Sequence, residues 1–187
     1  QIDTSDFDWE AWLCDPGRPP AVPTFNQAEG ERATAIAKLW LDSDVTLEES
    51  GEPCGCGEAA VEGWRYHHWL VFLGRLQTAV SSAAGEAPLP IARLHRMDEL
   101  YKFSESRNAE LRLRWQRLCI ALRADFIVPH VIDFITAQGR MKFVRPLYRD
   151  LFGWAEQKQV AIDTFTTFAS SYHPIARRQL SQDLKLS

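Results

Sequence analysis

"NAELRLRWQRLCIALR", residues 108–123, admits two readings. Leu111, Leu113 and Trp115 alternate as they would in a half-buried strand, yet Leu111, Trp115, Leu118 and Leu122 continue at the 3.6-residue period of a helix. Length decides between them. The helical period persists across the whole stretch, and Glu110 stands four residues before Arg114, the favourable orientation for an ion pair on one helix face.

The same period extends outward in both directions. Downstream, Asp125 is a candidate N-cap, Pro129 fits a first turn, and Ile127, Val131, Phe134 and Ile135 form one apolar face. Gly139 is expected to end that helix in the left-handed conformation. Ala161, Phe165 and Phe168 mark another helix, and Pro174 opens a last one with Ala176, Leu180 and Leu184 inward. Upstream, helical spacing recurs in Leu94, Met97 and Tyr101 after a break at 87–90, and in Trp69, Phe72, Leu73, Leu76 and Val80. It recurs again in Ala33, Ile36, Ala37 and Trp40, behind an Asn26/Glu29 capping box. Residues 49–60, with three glycines and a proline, make a loop. No run carries hairpin chemistry. Seven to nine helices with short links predict an all-α domain, either a bundle or a stacked αα-superhelix, and no strict repeat period chooses between them.

Residues 16–23, PGRPPAVP, hold four prolines and predict a linker that neither helix nor central strand can cross. Before it, FDWEAWL has too little sequence for a core of its own and is expected to pack on something else. The predicted division is therefore 1–25, the end of a preceding region and the linker, and 26–187, the helical domain.

At 187 residues and 45% hydrophobic, the chain can bury one core. It has no apolar run long enough to span a membrane, and its first residues, QIDTSDFDWE, are acidic rather than signal-like. Cysteines at 14, 54, 56 and 119 do not make a disulfide framework, so a reducing, cytoplasmic setting is expected, with no membrane partner. Residues 1–60 hold 13 acids and 3 Lys/Arg, net −10, while residues 61–187 hold 12 acids and 18 Lys/Arg, net +6. The basic residues are interspersed with acids, without a Lys/Arg block, which argues against a nucleic-acid partner.

Few residues offer chemistry. Cys54-Gly-Cys56 with His67-His68 has zinc-ligand side chains at a spacing no finger uses, and reads as a flexible glycine-rich loop. His95 and Glu99, at i, i+4, suit an ordinary surface contact; His130 and His173 suit helix starts, each beside a proline. There is no His-Glu-x-x-His, Gly-x-Ser-x-Gly, phosphate loop or dinucleotide fingerprint, so no catalytic residue, metal or cofactor site is expected in the chain. What stands out is "GRMKFVRPLYRDLF", 139–152, with Arg140, Lys142, Arg145 and Arg149 in a chain of net charge −4. Cations just past a helix C-terminus can serve only to offset its dipole. Alternatively, Arg140 and Lys142 project from a fixed loop toward a carboxylate or phosphate.

"APLPIARLHRMDELYKF", "NAELRLRWQRLCI", "AQGRMKFVRPLYRDLF", "HPIARRQL" and "DLKLS" together resemble the C-terminal domain of the leukotriene A4 hydrolase and aminopeptidase B family, in order and over nearly the whole chain. FDWEAWLCDPGRPPAVP resembles that family's exit from its catalytic region into a proline-rich linker. "GRMKF" leans to the hydrolase, whereas "RNAELRLRW" and "PLYRDLFGW" lean to the aminopeptidase-B-like branch; the 49–60 loop departs from the pattern.

The resemblance implies an armadillo-like αα-superhelix attached to its own zinc aminopeptidase catalytic domain. The zinc and the catalytic residues would lie outside this chain. It further implies that Arg140 grips the C-terminal carboxylate of a short peptide substrate, with Lys142 assisting. Arg145 and Arg149 receive no such role and are expected in surface or interdomain ion pairs. The competing reading is a protein–protein interaction scaffold with no substrate contact. It gains if Arg140 and Lys142 lie on an outer face paired to Asp or Glu.

Overall fold

The computed structural model describes residues 8–17, 28–49, 51–83 and 89–186. Among them are nine α-helices: α1 (Trp9–Leu13), α2 (Ala28–Leu41), α3 (Tyr66–Ser82), α4 (Ile91–Tyr101), α5 (Ala109–Ala121), α6 (Val128–Thr136), α7 (Met141–Phe152), α8 (Lys158–Phe168) and α9 (Pro174–Asp183). Beyond helices and short 3-10 turns there is one isolated bridge, Leu47 with Pro53. The linker residues 18–25, Asn26 of the expected capping box and residues 87–88 lie outside the described residues.

The ambiguous stretch is helical. Asn108 caps α5 by accepting from the Glu110 and Leu111 amides, at 3.0 and 3.3 Å, and Leu111, Trp115 and Leu118 are buried. Leu113, the residue that suggested alternation, is only half-buried. The local Glu110/Arg114 pair does not form: Glu110 turns to Lys142 on α7, and Arg114 meets Gln77 on α3.

These cross-helix contacts define the architecture. Helix α5 packs directly against both α3 and α7, its alternate neighbours in the chain. Glu110 with Lys142 and Arg117 with Asp150 join successive levels of α5 and α7, and Phe103 ahead of α5 meets Trp69 and Phe72 early in α3 while Arg114 meets Gln77 further along, so the three run in the same sense. Helix α6 packs on α5, α7 and α8 as part of the return layer. Parallel stacking of every second helix is the pattern of an αα-superhelix and not of an up-down bundle.

The core's centre is aromatic. Trp69, Phe72, Tyr101, Phe103 and Trp115 contact at centroid distances from 5.0 Å upward, edge to face or tilted except for the stacked Phe72/Phe103 pair, arrangements that ring quadrupoles favour. The loop before α3 is locked onto this core rather than flexible as expected. Tyr101 donates to the Cys56 carbonyl at 2.5 Å, and Glu52, 7% exposed, pairs with Arg96 at 2.7 Å.

Two helix boundaries differ from expectation. Helix α6 ends at Thr136, and Gly139 is not among the glycines with positive φ, which among the described residues are Gly17, Gly51, Gly55 and Gly63. Asp125 does not cap α6: it opens a 3-10 turn, Asp125–Ile127, that runs straight into the helix, and its carboxylate accepts from Gln157 at 3.0 Å. Phe168, the last of the three residues that mark α8, is its final residue and 36% exposed, and a 3-10 turn takes over at Ala169.

Candidate functional site

Helix α7 buries Phe143, Val144, Leu147, Tyr148 and Leu151, which leaves Arg140, Lys142, Arg145 and Arg149 off the core face. Arg140 is the N-cap residue of α7: its carbonyl accepts from the Phe143 and Val144 amides at 2.9 and 3.1 Å, and its side chain makes no cap hydrogen bond. Lys142 is already inside the first turn. Arg140 thus stands on the link between α6 and α7, as its last residue, while Lys142 has already entered the helix, so both stand at a helix start. The position reverses the electrostatics. A helix N-terminus carries a partial positive charge and unpaired N–H groups, so a cation there adds to the field instead of offsetting it.

The two cations converge on one ring. The Arg140 guanidinium lies 5.4 Å and the Lys142 ammonium 5.5 Å from the centre of Phe143, which is itself buried against Phe134. Their partners differ. Lys142, 53% exposed, forms an ion pair with Glu110 on α5, whereas Arg140 has no acidic partner among the described residues. The acidic pairing that favours the scaffold reading is thus present at Lys142 and not, among the described residues, at Arg140.

Of the other two cations, Arg145 is held by Asp183 on α9 in a two-point contact, 2.5 and 3.1 Å, so an intradomain pair explains it. Arg149 has no ion pair among the described residues and borders two adjoining hollows of about 480 and 460 Å³ on either side of the Arg117/Asp150 pair. Lys142 and Met141 line the second of these.

The remaining candidates resolve into structural roles. Among the described residues no group of three or more His, Cys, Asp or Glu is placed to hold a metal. Cys54 is exposed, while Cys56 is fully buried, and burial pushes its thiol up to about 12, away from the thiolate that zinc needs. His68 accepts from the Arg65 amide at 2.8 Å and faces Glu29, capping α3. His95 packs on Phe126 while Glu99 bonds Arg96, so the i, i+4 pair does not exist. His173 caps α9 by accepting from the Ile175 amide. Glu110 and Phe143 are the site residues that sequence reasoning missed. Glu110 had a nearer apparent partner in Arg114, and nothing local announces a contact made between stacked helices.

No helix among the described residues is long and apolar enough to cross a membrane. Residues 64–184 match the family model described as leukotriene A4 hydrolase, C-terminal. The leukotriene A-4 hydrolase of Xenopus laevis is 30% identical over 96% of this chain and 28% of its own length. Aminopeptidase B of Mus musculus is 29% identical over 89% of this chain and 24% of its own length. The native leukotriene A4 hydrolase structure from Saccharomyces cerevisiae superposes with a TM-score of 0.75 at 26% identity, over 96% of this chain and 29% of that one. The chain thus spans 24 to 29% of the length of these relatives, and the two identities do not separate the hydrolase from the aminopeptidase branch.

Proposed function

Because this chain belongs to the leukotriene A4 hydrolase C-terminal family, we propose that it is the non-catalytic helical domain of a cytoplasmic zinc aminopeptidase, whose Arg140 receives the C-terminal carboxylate of short peptide substrates with Lys142 assisting. In this reading residues 1–25 lead from the enzyme's own catalytic domain into residues 26–187. The zinc and the residues that activate water belong to that other domain.

The observation that carries the proposal is the place of Arg140. It sits at the positive end of α7, without an acidic partner among the described residues, beside the amides of the first helical turn. Dipole compensation does not account for a cation at that end of a helix. An arriving carboxylate does: the guanidinium fork fits it at two points, and the helix N-terminus adds attraction of the same sign. Binding energy gained at the far end of a peptide helps place its N-terminal bond for hydrolysis.

The test compares kcat/KM of the full-length enzyme and its Arg140→Ala variant on a tripeptide with a free C-terminus and on the same tripeptide amidated. A loss of about tenfold or more, ~1.4 kcal/mol, on the acid with little on the amide supports the clamp. The Glu110/Lys142 pair favours a second reading, an interaction scaffold whose surface ion pairs only tie helices together. Equal effects on both substrates, or none, would decide for it.

A further inference from the structure

Of the three ion pairs along α7, two occupy cations to which no ligand is assigned: Arg145 with Asp183, and Arg117 with Asp150. The third pair, Glu110 with Lys142, takes one of the two cations that share the Phe143 ring. The site is therefore built asymmetrically, with an uncompensated guanidinium beside an ammonium that already holds a carboxylate. Glu110 is fixed in that place. It belongs to the capped first turn of α5, where Asn108 accepts from its amide at 3.0 Å, and its side chain is only 27% exposed.

We infer that Glu110 is a specificity-determining residue of this site, a resident counter-ion that attenuates the hold of Lys142 on a peptide carboxylate. The inference rests on the carboxylate-clamp reading of Arg140 and Lys142. An ammonium has three donors, so Lys142 can hold Glu110 and still offer a hydrogen bond to a second carboxylate. Its ammonium is then held toward Glu110 and keeps fewer donors, less directly aimed, for the incoming anion. Arg140 does the principal gripping, and Lys142 contributes less than an unpaired lysine would.

The chemistry of aminopeptidase action gives this attenuation a purpose. Removing the N-terminal residue of a tripeptide yields a dipeptide that keeps the same C-terminal carboxylate. A clamp on that group binds product as it binds substrate. Holding substrate and transition state equally lowers KM without raising kcat, and a hold on the shared carboxylate that is too strong retains the product. Glu110 weakens the grip at the one cation it touches and leaves the geometry at Arg140 intact.

The experiment uses the full-length enzyme with Glu110→Gln, Glu110→Ala, Lys142→Met and the Glu110→Gln/Lys142→Met double variant. It measures KM for a free-acid tripeptide and for its amide, and Ki for the free-acid dipeptide product. Both Glu110 variants are expected to lower the acid's KM and the product's Ki together by about three- to fivefold, the range of a partly exposed charge pair. The amide's KM moves less than twofold, and the gain vanishes when Lys142 is already Met. A KM for the acid that rises or stays, an equal change on the amide, or a gain that persists without Lys142 overturns the inference. If the wild-type enzyme prefers the acid and loses that preference in Arg140→Ala, such a result removes only the role of Glu110. If the wild type does not distinguish acid from amide, the clamp reading fails and this inference fails with it.

Discussion

Arg93 of α4 donates through Nη1 to the carbonyls of Trp40 and Asp42, at 2.7 Å each, and so closes the C-terminal end of α2. At 9% exposure its charge is nearly dry, and what faces it is the negative end of a helix together with carbonyls that have no helical partner. Arg93→Met is expected to leave both carbonyls unsatisfied and to cost about 3 kcal/mol, which for a domain of this size lowers Tm by roughly 6–12 °C. Arg93→Lys should recover part of it, since an ammonium can reach the same acceptors. A Tm loss under 2 °C for Arg93→Met, measured by calorimetry, would show that water satisfies this helix end.

The end of α6 is closed in a comparable way. Tyr172 donates to the Ile135 carbonyl at 2.8 Å, and its oxygen stands 3.0 Å from the Tyr148 hydroxyl, both rings being buried. Since Tyr172 spends its proton on Ile135, Tyr148 is the donor to Tyr172. Tyr148→Phe removes one donor and should cost about 1 kcal/mol. Tyr172→Phe orphans a carbonyl and a hydroxyl at once and should cost about 2–3 kcal/mol. In a double-mutant cycle the Tyr148→Phe change should become nearly free once Tyr172 is Phe. Additive losses in urea unfolding would contradict the chain of donors.

This network also shows where the sequence could and could not be read. The helices were legible because apolar spacing is a local signal: Ala33, Ile36, Ala37 and Trp40 are all buried on α2, and Phe72, Leu73 and Leu76 on α3. The end of α6 was misread because glycine is the usual local stop, whereas the group that closes this helix is Tyr172, separated by 37 positions from Ile135. Arg93 and Trp40 are 53 positions apart, and Glu110 and Lys142 are 32 apart. Contacts of that range arise only once alternate helices have stacked. The same limit applied to the candidate site. Its cations were visible in "GRMKF", but whether they ended one helix or began the next, and which of them was already paired, depended on a fold that periodicity left undecided.

The cysteines yield an accessibility and pH prediction. Burial pushes the Cys56 thiol up to about 12 and raises that of Cys119 well above its ordinary value, while Cys14 and Cys54 are exposed. The hydrogen bond with Glu48 also holds the exposed Cys54 thiol above its usual range. Alkylation of the native protein at pH 8, followed by peptide mass spectrometry, should label Cys14 first, Cys54 more slowly, and Cys56 and Cys119 only after denaturation. Because the Cys56 thiol stays protonated in the folded state to a higher pH than in the unfolded one, its contribution is complete below about pH 9 and declines as pH rises toward 12, by about 1 kcal/mol per pH unit, and Cys119 acts in the same direction. Labelling of native Cys56 as fast as Cys14 would mean that the loop before α3 opens.

Arg140 is a poor residue for the structural position it holds, and that mismatch can be measured. An N-cap position with φ −72 and ψ 113 suits Asp, whose carboxylate can accept from the free amides of the first turn. Arg140→Asp removes a cation from the positive end of α7 and supplies a cap, together worth about 1–2 kcal/mol. It gives up the contact over Phe143, worth about 0.5–1 kcal/mol. The net expectation is a domain more stable by about 0.5–1 kcal/mol, with Tm higher by roughly 1–4 °C, and an enzyme that no longer prefers a free C-terminal carboxylate. Stability gained where activity is lost is the signature of a residue kept for binding rather than for folding. Were Arg140→Asp instead to lower Tm by several degrees, the guanidinium would be holding α7 in place through Phe143, and the carboxylate reading would lose its main support.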